Sequence, residues 1–375
     1  MKYLINSPDI SSLEKKYVLN ALNSGWLSIN GKNTKEFEKK ISKFLKIKYC
    51  MAVQSGTAAI HLALKSLGCS VGHKVIVPNY TCVSNISAVA QCGATPIIVE
   101  VERQTLGIDL EDLKKAIKKF KPKILQLVHV YGCPAKNTKE IVKLCKKHNI
   151  KMIEDFSESL GGELNKKKLG NFGDIGICSI RSEKMIGVGE GGVIFTKNKN
   201  LFDKIRKLGS RNSPFRGSRD PYWKKYFSSG EGYNYLLPHL LGSLARAQIE
   251  RFQKKLLPKK IMIGKLYKKY FNDEDISITQ NSIKKSKPVY WLNSIYFKKL
   301  NKTKVRKIAS FLEKNGIEVR SGFWPLNNLS GFRSKYVGSK KVSMEIFNKS
   351  LVLPSNINLT EADIKKFRSL INKFL

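Results

Sequence analysis

Lys184 stands in Cys178-Ser-Ile-Arg-Ser-Glu-Lys184-Met-Ile-Gly-Val-Gly-Glu-Gly-Gly192, between an apolar run with the pattern of a strand and a glycine-rich turn leading into another at 193–196. Glycines in such a turn let the backbone approach a bound group, and a primary amine held there can condense with an aldehyde. Among 69 Lys plus Arg residues a single lysine is ordinarily a solvated charge. Its company upstream sets it apart: Glu154-Asp155 closes the apolar run Lys151-Met-Ile153, and Ser55-Gly-Thr-Ala-Ala59 opens a helical pattern. An amine, an acid and a turn of backbone donors are what pyridoxal phosphate requires of a protein.

Each group has a distinct task. The turn at Ser55, Gly56, Thr57 and Ala58 points unpaired N–H groups of a helix start at one place, suited to a phosphate, though plain helix capping uses the same residues. Thr57 adds a hydroxyl, and Ser179, five residues before Lys184, adds another. Asp155, at the end of a buried strand, would hold the cofactor's ring nitrogen protonated, because a nearby carboxylate raises the pKa of a cationic acid. Lys184 would bind the aldehyde carbon, be displaced by the amino donor, and then carry a proton as general base and acid. His129, at a strand end before a tight turn, suits an orienting role, and His61 a packed one.

The elements that must position these residues read as an α/β protein. Strand patterns at 74–77, 96–101, 123–130, 152–155, 175–180 and 192–195 alternate with helical ones near 57–68, 83–92, 109–119 and 136–148. The strands are apolar without alternation, which implies burial on both faces and a largely parallel sheet. Residues 209–230 read as a long loop, followed by a helix near 237–271. Strand-like pieces at 289–292, 294–297 and 317–319 and helices at 303–315 and 360–374 suggest a smaller α+β domain. The division expected is 1–245 for the N-terminal segment and large domain and 246–375 for the small one.

Composition sets bounds. No run approaches the roughly 18 to 20 consecutive apolar residues of a membrane span, and the first residues do not resemble a secretory signal, so a cytoplasmic protein is expected. Seven cysteines without metal-ligand spacing argue against a zinc site and structural disulfides, and no metal is expected. The net charge of +40 would attract nucleic acid, a membrane surface or a nucleotide diphosphate. The lysines are scattered rather than gathered or interleaved with aromatics, so a nucleic-acid partner is not favoured, and no membrane partner is expected.

Taken in order, Ser55-Gly-Thr-Ala-Ala59, Val77-Pro78, Gly93-Ala-Thr-Pro96, His129-Val-Tyr-Gly132, Glu154-Asp155, Gly173-Asp-Ile-Gly176, Ser179 with Lys184, Gly189-Glu-Gly-Gly192 and Gly232-Tyr-Asn-Tyr235 resemble the sugar aminotransferases of the DegT/DnrJ/EryC1/StrS family. The resemblance runs from Trp26-Leu-Ser28 to Leu351-Val-Leu-Pro-Ser355. It implies a fold-type I aminotransferase dependent on pyridoxal phosphate. Such an enzyme has a large domain with a mixed, mostly parallel sheet, a small C-terminal domain, and a homodimer with active sites at the interface. By position, Thr57, Ala58 and Ser179 would hold the phosphate with Asn234 of the other subunit, Asp155 would meet the ring nitrogen, and Glu158 would lie near the ring oxygen and the sugar. In a sister branch that dehydrates sugars a histidine replaces the lysine, so Lys184 favours transamination.

Some positions depart from the family pattern. Where most members place an aromatic ring over the cofactor, this chain has Pro78-Asn-Tyr-Thr-Cys82; either Tyr80 takes that place by a shifted backbone or the thiol of Cys82 packs there. Leu236 and Asn327 replace a usual arginine and a frequent histidine. For substrate, the resemblance implies L-glutamate and a nucleoside-diphosphate keto sugar aminated at C3 or C4. Trp26 and Ser28 look most like the segment of members acting at C4 of 6-deoxy sugars, including perosamine synthases. Arg211, with Arg216, Arg219 and Lys225, could meet the diphosphate, and Arg320 the sugar side. A C3 aminotransferase, a non-catalytic relative and a polyanion-binding protein are the alternatives.

Overall fold

The structure, a computed structural model, describes residues 1–213, 227–279, 281–339 and 341–375. Two helices, α1 (Ser12–Asn23) and α2 (Lys32–Leu45), precede β1 (Tyr49–Val53). Then strand and helix alternate: α3 (Gly56–Ser66), β2 (Lys74–Pro78), α4 (Ser84–Gln91), β3 (Thr95–Val99), α5 (Leu110–Phe120), β4 (Ile124–Val128), α6 (Thr138–Lys147) and β5 (Lys151–Asp155). A small hairpin, β6 (Glu163–Leu164) and β7 (Lys167–Lys168), leads to β8 (Ile175–Ser179), β9 (Gly192–Thr196) and α7 (Lys199–Gly209).

Eight strands form the main sheet in the order β1-β9-β8-β5-β4-β2-β3-β13, where β13 (Lys335–Val337) arrives from the C-terminal third of the chain. All neighbours are parallel except the two pairs that involve β9. Side chains alternate between the two faces. Val75 and Val77 pack with Ile60 of α3 and Ile86 of α4, whereas Ile76 packs with Leu113 of α5 and Ile141 of α6. Burial on both faces accounts for the unbroken apolar runs of the strands.

Beyond α7 a bridge joins Ser210 to Asn234, and a second, from Leu236 to Val53, sets the chain against the end of β1. One long helix follows as α8 (His239–Arg251), a π-turn at Phe252–Leu256 and α9 (Leu257–Tyr270). Pro258 lacks the N–H that an α-helix would use and clashes with the preceding turn, and the wider turn just before it relieves both problems. Residue 245 lies inside α8, which packs on α1 and α2.

A separate core surrounds the antiparallel sheet of β10 (Ile276–Ile278), β12 (Asn293–Phe297) and β14 (Ser350–Leu353), covered by α9, α10 (Lys302–Lys314) and α12 (Glu361–Asn372). α11 (Val342–Lys349) precedes β14, and β11 (Ser286–Lys287) joins the β6–β7 hairpin. Two expected strands do not form. Residues 289–292 are irregular, with Tyr290 at φ 52°, because Gly132 and Gly264 bring two other segments against that residue. At 317–319 there is only a single bridge, from Ile317 to Tyr3.

Candidate active site

Parallel strands end side by side, and the groups singled out in the sequence stand at those ends. Asp155 closes β5, Ser179 closes β8, and β1 ends at Val53 just before the turn into α3. Gly192, the first residue of β9, pairs with both Val53 and Ser179. A Cβ on Gly192 would lie 2.4 Å from the Ser55 carbonyl oxygen, and one on Gly56 would lie 2.8 Å from the Ser179 Cβ. Glycine at both places lets the start of α3 sit directly against β8. The result is a close turn of backbone donors beside a serine hydroxyl.

That turn forms part of the wall of a cavity of about 480 Å³, together with Cys82, Asp155, Glu158, Lys184, Trp291 and Arg320. Ser55 caps α3, its Oγ accepting from the Ala58 amide at 3.0 Å, and Thr57 Oγ1 donates to Ser84 Oγ at 3.0 Å. Gly56 and Thr57, which line the cavity, hold first-turn amides with no intrahelical acceptor. The positive end of the helix dipole faces the same way.

Asp155 is buried, its Oδ2 accepting from Asn85 Nδ2 at 3.2 Å and its Oδ1 from the Ser157 amide at 3.0 Å. The preceding Glu154 serves the fold: it accepts from the amides of Gly170, Phe172 and Gly173 and from His129 Nε2 at 3.2 Å. His129 Nδ1 accepts from the Ala135 amide, so both ring nitrogens are engaged away from the cavity and the ring is an orienting group.

Lys184 Nζ lies 3.3 Å from Glu158 Oε1 and 3.5 Å from the centroid of the Trp291 ring. The other carboxylate oxygen of Glu158 accepts from the Tyr131 amide at 2.8 Å. Burial pushes the Glu158 carboxyl above its ordinary pKa, and Lys184 opposes that push. An ammonium is thus held between a π-face and a carboxylate whose own charge is costly there. Arg320 reaches the same cavity, paired with Glu183 at 2.9 Å and Glu318 at 2.8 Å.

Other expected residues lie elsewhere. Tyr80 is fully buried with its hydroxyl 3.2 Å from that of Tyr131 and does not line the cavity, because Gly322 and Phe323 close over it; Cys82 holds the wall position. Ala58 is buried behind the helix start. Trp26, Ser28, Arg211 and Asn234 are exposed and do not line this chain's cavity. The backbone ties them in pairs of segments: Ser28 O accepts from the His239 amide, and the Arg211 amide donates to Tyr233 O. Arg216, Arg219 and Lys225 fall outside the described residues. Leu236 pairs with Val53, and the Asn327 amide donates to Asn79 Oδ1 at 2.9 Å.

Three residues escaped the sequence reading. Asn85 orients Asp155 from the first turn of α4, Trp291 meets Lys184, and Tyr131 presents its amide to Glu158. Only the aromatic type of Trp291, in an otherwise irregular segment, could have drawn attention.

The profile of the DegT/DnrJ/EryC1/StrS aminotransferase family matches residues 8–371. The chain belongs to that family. This aminotransferase is 32% identical over 378 residues to a GDP-perosamine synthase of Escherichia coli O157:H7, an alignment covering 100% of this chain and 99% of the relative. It is 31% identical over 373 residues to a GDP-perosamine synthase of Vibrio cholerae, covering 99% and 98%. Among solved structures, a GDP-4-keto-6-deoxymannose-3-dehydratase with a trapped PLP-glutamate geminal diamine shares the fold at TM-score 0.89 and 22% identity, covering 98% of this chain and 99% of that one. The enzyme is a transaminase dependent on pyridoxal phosphate.

The residues present fit that cofactor. The cradle between Gly56 and Ser179 leaves no room for a side chain on the glycine, the helix start supplies anion donors, and a carboxylate and an amine line the same cavity. Asn85 Oδ1, on the cavity wall, is buried without a hydrogen-bond partner, so the polar wall has capacity left for a ligand. Among the described residues no helix is long and apolar enough to cross a membrane.

Proposed function

We propose that the enzyme moves an amino group from L-glutamate to the C4 keto carbon of a nucleoside-diphosphate-linked 4-keto-6-deoxy sugar; relatives named GDP-perosamine synthase support a sugar aminotransferase. The observation that carries the reading is the single cavity in which Lys184, Glu158, Asp155 and the start of α3 meet. When bound, pyridoxal phosphate supplies an aldehyde carbon that takes the amino group and a ring that accepts electrons. Ser55, Gly56, Thr57 and Ser179, which line the cavity, would hold its phosphate, and Cys82 would pack at the ring. Asp155, fixed by Asn85 and the Ser157 amide, holds the proton on the ring nitrogen.

Lys184 then moves a proton at the reacting carbon of the substrate. Glu158, 3.3 Å from Nζ, keeps the amine in place. Arg320 meets the sugar side, and the net charge of +40 favours encounter with a diphosphate. Trp26, Ser28, Arg211 and Asn234 belong in this reading to the site of a second copy, in a cytoplasmic homodimer built from a large domain at 1–245 and a small one at 246–375.

The test is a panel of keto nucleotide sugars, assayed with L-glutamate for 2-oxoglutarate release and with product NMR to locate the new amine. Purified protein should be coloured after loading with pyridoxal phosphate, change its absorbance with glutamate, and lose turnover on Lys184→Ala. A preparation that stays colourless when the cofactor is supplied contradicts the reading. Amination at C3 would correct the position while leaving the chemistry in place.

A further inference from the structure

Lys260, on the inner side of α9, is a buried lysine that the chemistry above does not use. Its Nζ donates to Asn6 Oδ1 at 2.9 Å, to the Trp291 carbonyl at 3.0 Å and to the Ser355 carbonyl. Each acceptor belongs to a different part of the chain: the N-terminal segment, the irregular 289–292 stretch and the segment after β14. Ser355 is tied in further, its amide donating to Ile5 O at 2.6 Å and its Oγ accepting from the Asn293 amide at 2.9 Å.

Two of these three legs lead to the cavity. The Trp291 residue whose carbonyl Lys260 holds is the one whose ring lies 3.5 Å from Lys184 Nζ. Asn6, which gives its Oδ1 to Lys260, donates through Nδ2 to the Glu183 carbonyl at 2.6 Å, and Trp291 Nε1 donates to that same carbonyl. Glu183 is the residue before Lys184. The backbone at 183 and the indole facing the amine are therefore fixed to one another and to a single buried cation.

Burial pushes the Lys260 ammonium down to about 7. The geometry suits three N–H donors: Nζ meets three acceptor oxygens, whereas a neutral amine would turn a lone pair toward one of them. The arrangement matches the charged form, and its charge-assisted bonds are the stronger kind. Removing the head would leave acceptors unpaired at the point where three segments converge.

We infer that Lys260 is a positioning residue for transamination: its ammonium holds Trp291, and through Asn6 the Glu183 backbone, so that Lys184 keeps its place between the indole and Glu158. This rests on the reading of Lys184 given above. Lys260 touches no reacting atom, so its effect falls on the chemical step at Lys184 and not on substrate affinity.

The experiment compares Lys260→Met and Lys260→Arg with wild type, all loaded with pyridoxal phosphate. Steady-state rates and the pH midpoint of the absorbance of cofactor bound at Lys184 are measured. Lys260→Met should lower kcat by on the order of 10²-fold, the scale of a small misplacement, with KM changed by less than about twofold, and should move the absorbance midpoint by at least about half a pH unit. Lys260→Arg, which keeps a cation with several donors, should recover most of both. A wild-type kcat and midpoint in Lys260→Met, or a loss confined to KM, overturns the inference. If Lys260→Met does not fold, Asn6→Ala carries the test by cutting one leg; it should shift kcat and midpoint in the same direction, and no shift overturns the proposal. Wild-type protein that takes no colour, or Lys184→Ala that keeps it, refutes the functional reading itself, whatever Lys260 does.

Discussion

Glu158 and Lys184 lie 3.3 Å apart in the same cavity, the carboxylate held from behind by the Tyr131 amide. A neutral isostere separates charge from shape. In Glu158→Gln the amide oxygen can still accept from Tyr131 while the negative charge beside the amine is gone. Cofactor binding should survive and kcat should fall by on the order of 10²-fold, the usual contribution of an acid–base partner, read from steady-state kinetics. An unchanged kcat would remove Glu158 from the chemistry.

Asp155 is held by Asn85, so the two residues should fail in different ways. Asp155→Asn removes the charge that, in the proposed reading, keeps the ring nitrogen protonated and should cost on the order of 10²-fold or more in kcat, whereas Asn85→Ala leaves the charge but frees its orientation. A loss of about tenfold is expected for the latter, roughly one hydrogen bond to a charged group. Equal losses in the two variants would contradict this division of labour.

Gly192→Ala places a Cβ 2.4 Å from the Ser55 carbonyl oxygen, a backbone atom that cannot rotate away. Overpacking of this kind costs about 1–3 kcal/mol. Because the displaced segment is the start of α3, the effect should appear as weaker retention of pyridoxal phosphate, by about tenfold or more, measured by absorbance titration. Retention equal to wild type would show that the glycine contact does not shape the cradle.

Asn234 is exposed in this chain and does not line its cavity. If it completes the site of a second copy, inactive Lys184→Ala and weakened Asn234→Ala should complement when unfolded and refolded together. Half of the randomly assembled dimers are mixed, and each has one intact site, so about a quarter of wild-type activity should return. A mixture no more active than the sum of its parts would place Asn234 outside the shared site.

Glu38 gives a prediction about stability. Its carboxyl accepts from the Ala52 amide at 2.7 Å, and burial raises its pKa to about 7 despite Arg206 and Lys35 nearby. A carboxyl whose folded pKa is raised binds its proton more tightly in the native state. Its contribution is therefore full below the ordinary value of 4.5 and is lost as pH rises through about 7. The loss is on the order of 3 kcal/mol at most. Glu38→Gln keeps the acceptor and has no proton to lose, so its unfolding free energy should vary less between pH 5 and pH 8 than that of wild type, as urea titrations at the two pH values would show.

Asp155, Ser179 and Lys184 are legible in the sequence because each marks the place where an apolar run stops or a glycine turn begins, and the sheet that gathers them follows from those same runs. Trp291 and Lys260 are not. The first lies in a stretch whose apolar character imitates a strand, and only the close approach of Gly132 and Gly264 to Tyr290 makes it irregular. The second is one of 69 basic residues, and nothing local shows that its head meets three acceptors distant in the chain. Tyr80 misleads for the same reason, since its neighbours Gly322 and Phe323 are remote in sequence. β13 has three residues and joins the main sheet only through a tertiary contact with β3.

The π-turn at Phe252–Leu256 has a rotational consequence. Along an uninterrupted α-helix each residue advances by about 100°, so α8 and α9 would share one continuous stripe. The wider turn takes up one additional residue and resets the phase, which lets α8 face the N-terminal helices while α9 turns Lys260 toward its three acceptors. Deleting a single residue there would turn that side chain by roughly a quarter of a circle, so the azimuth of one amine depends on a defect two turns of helix or less away.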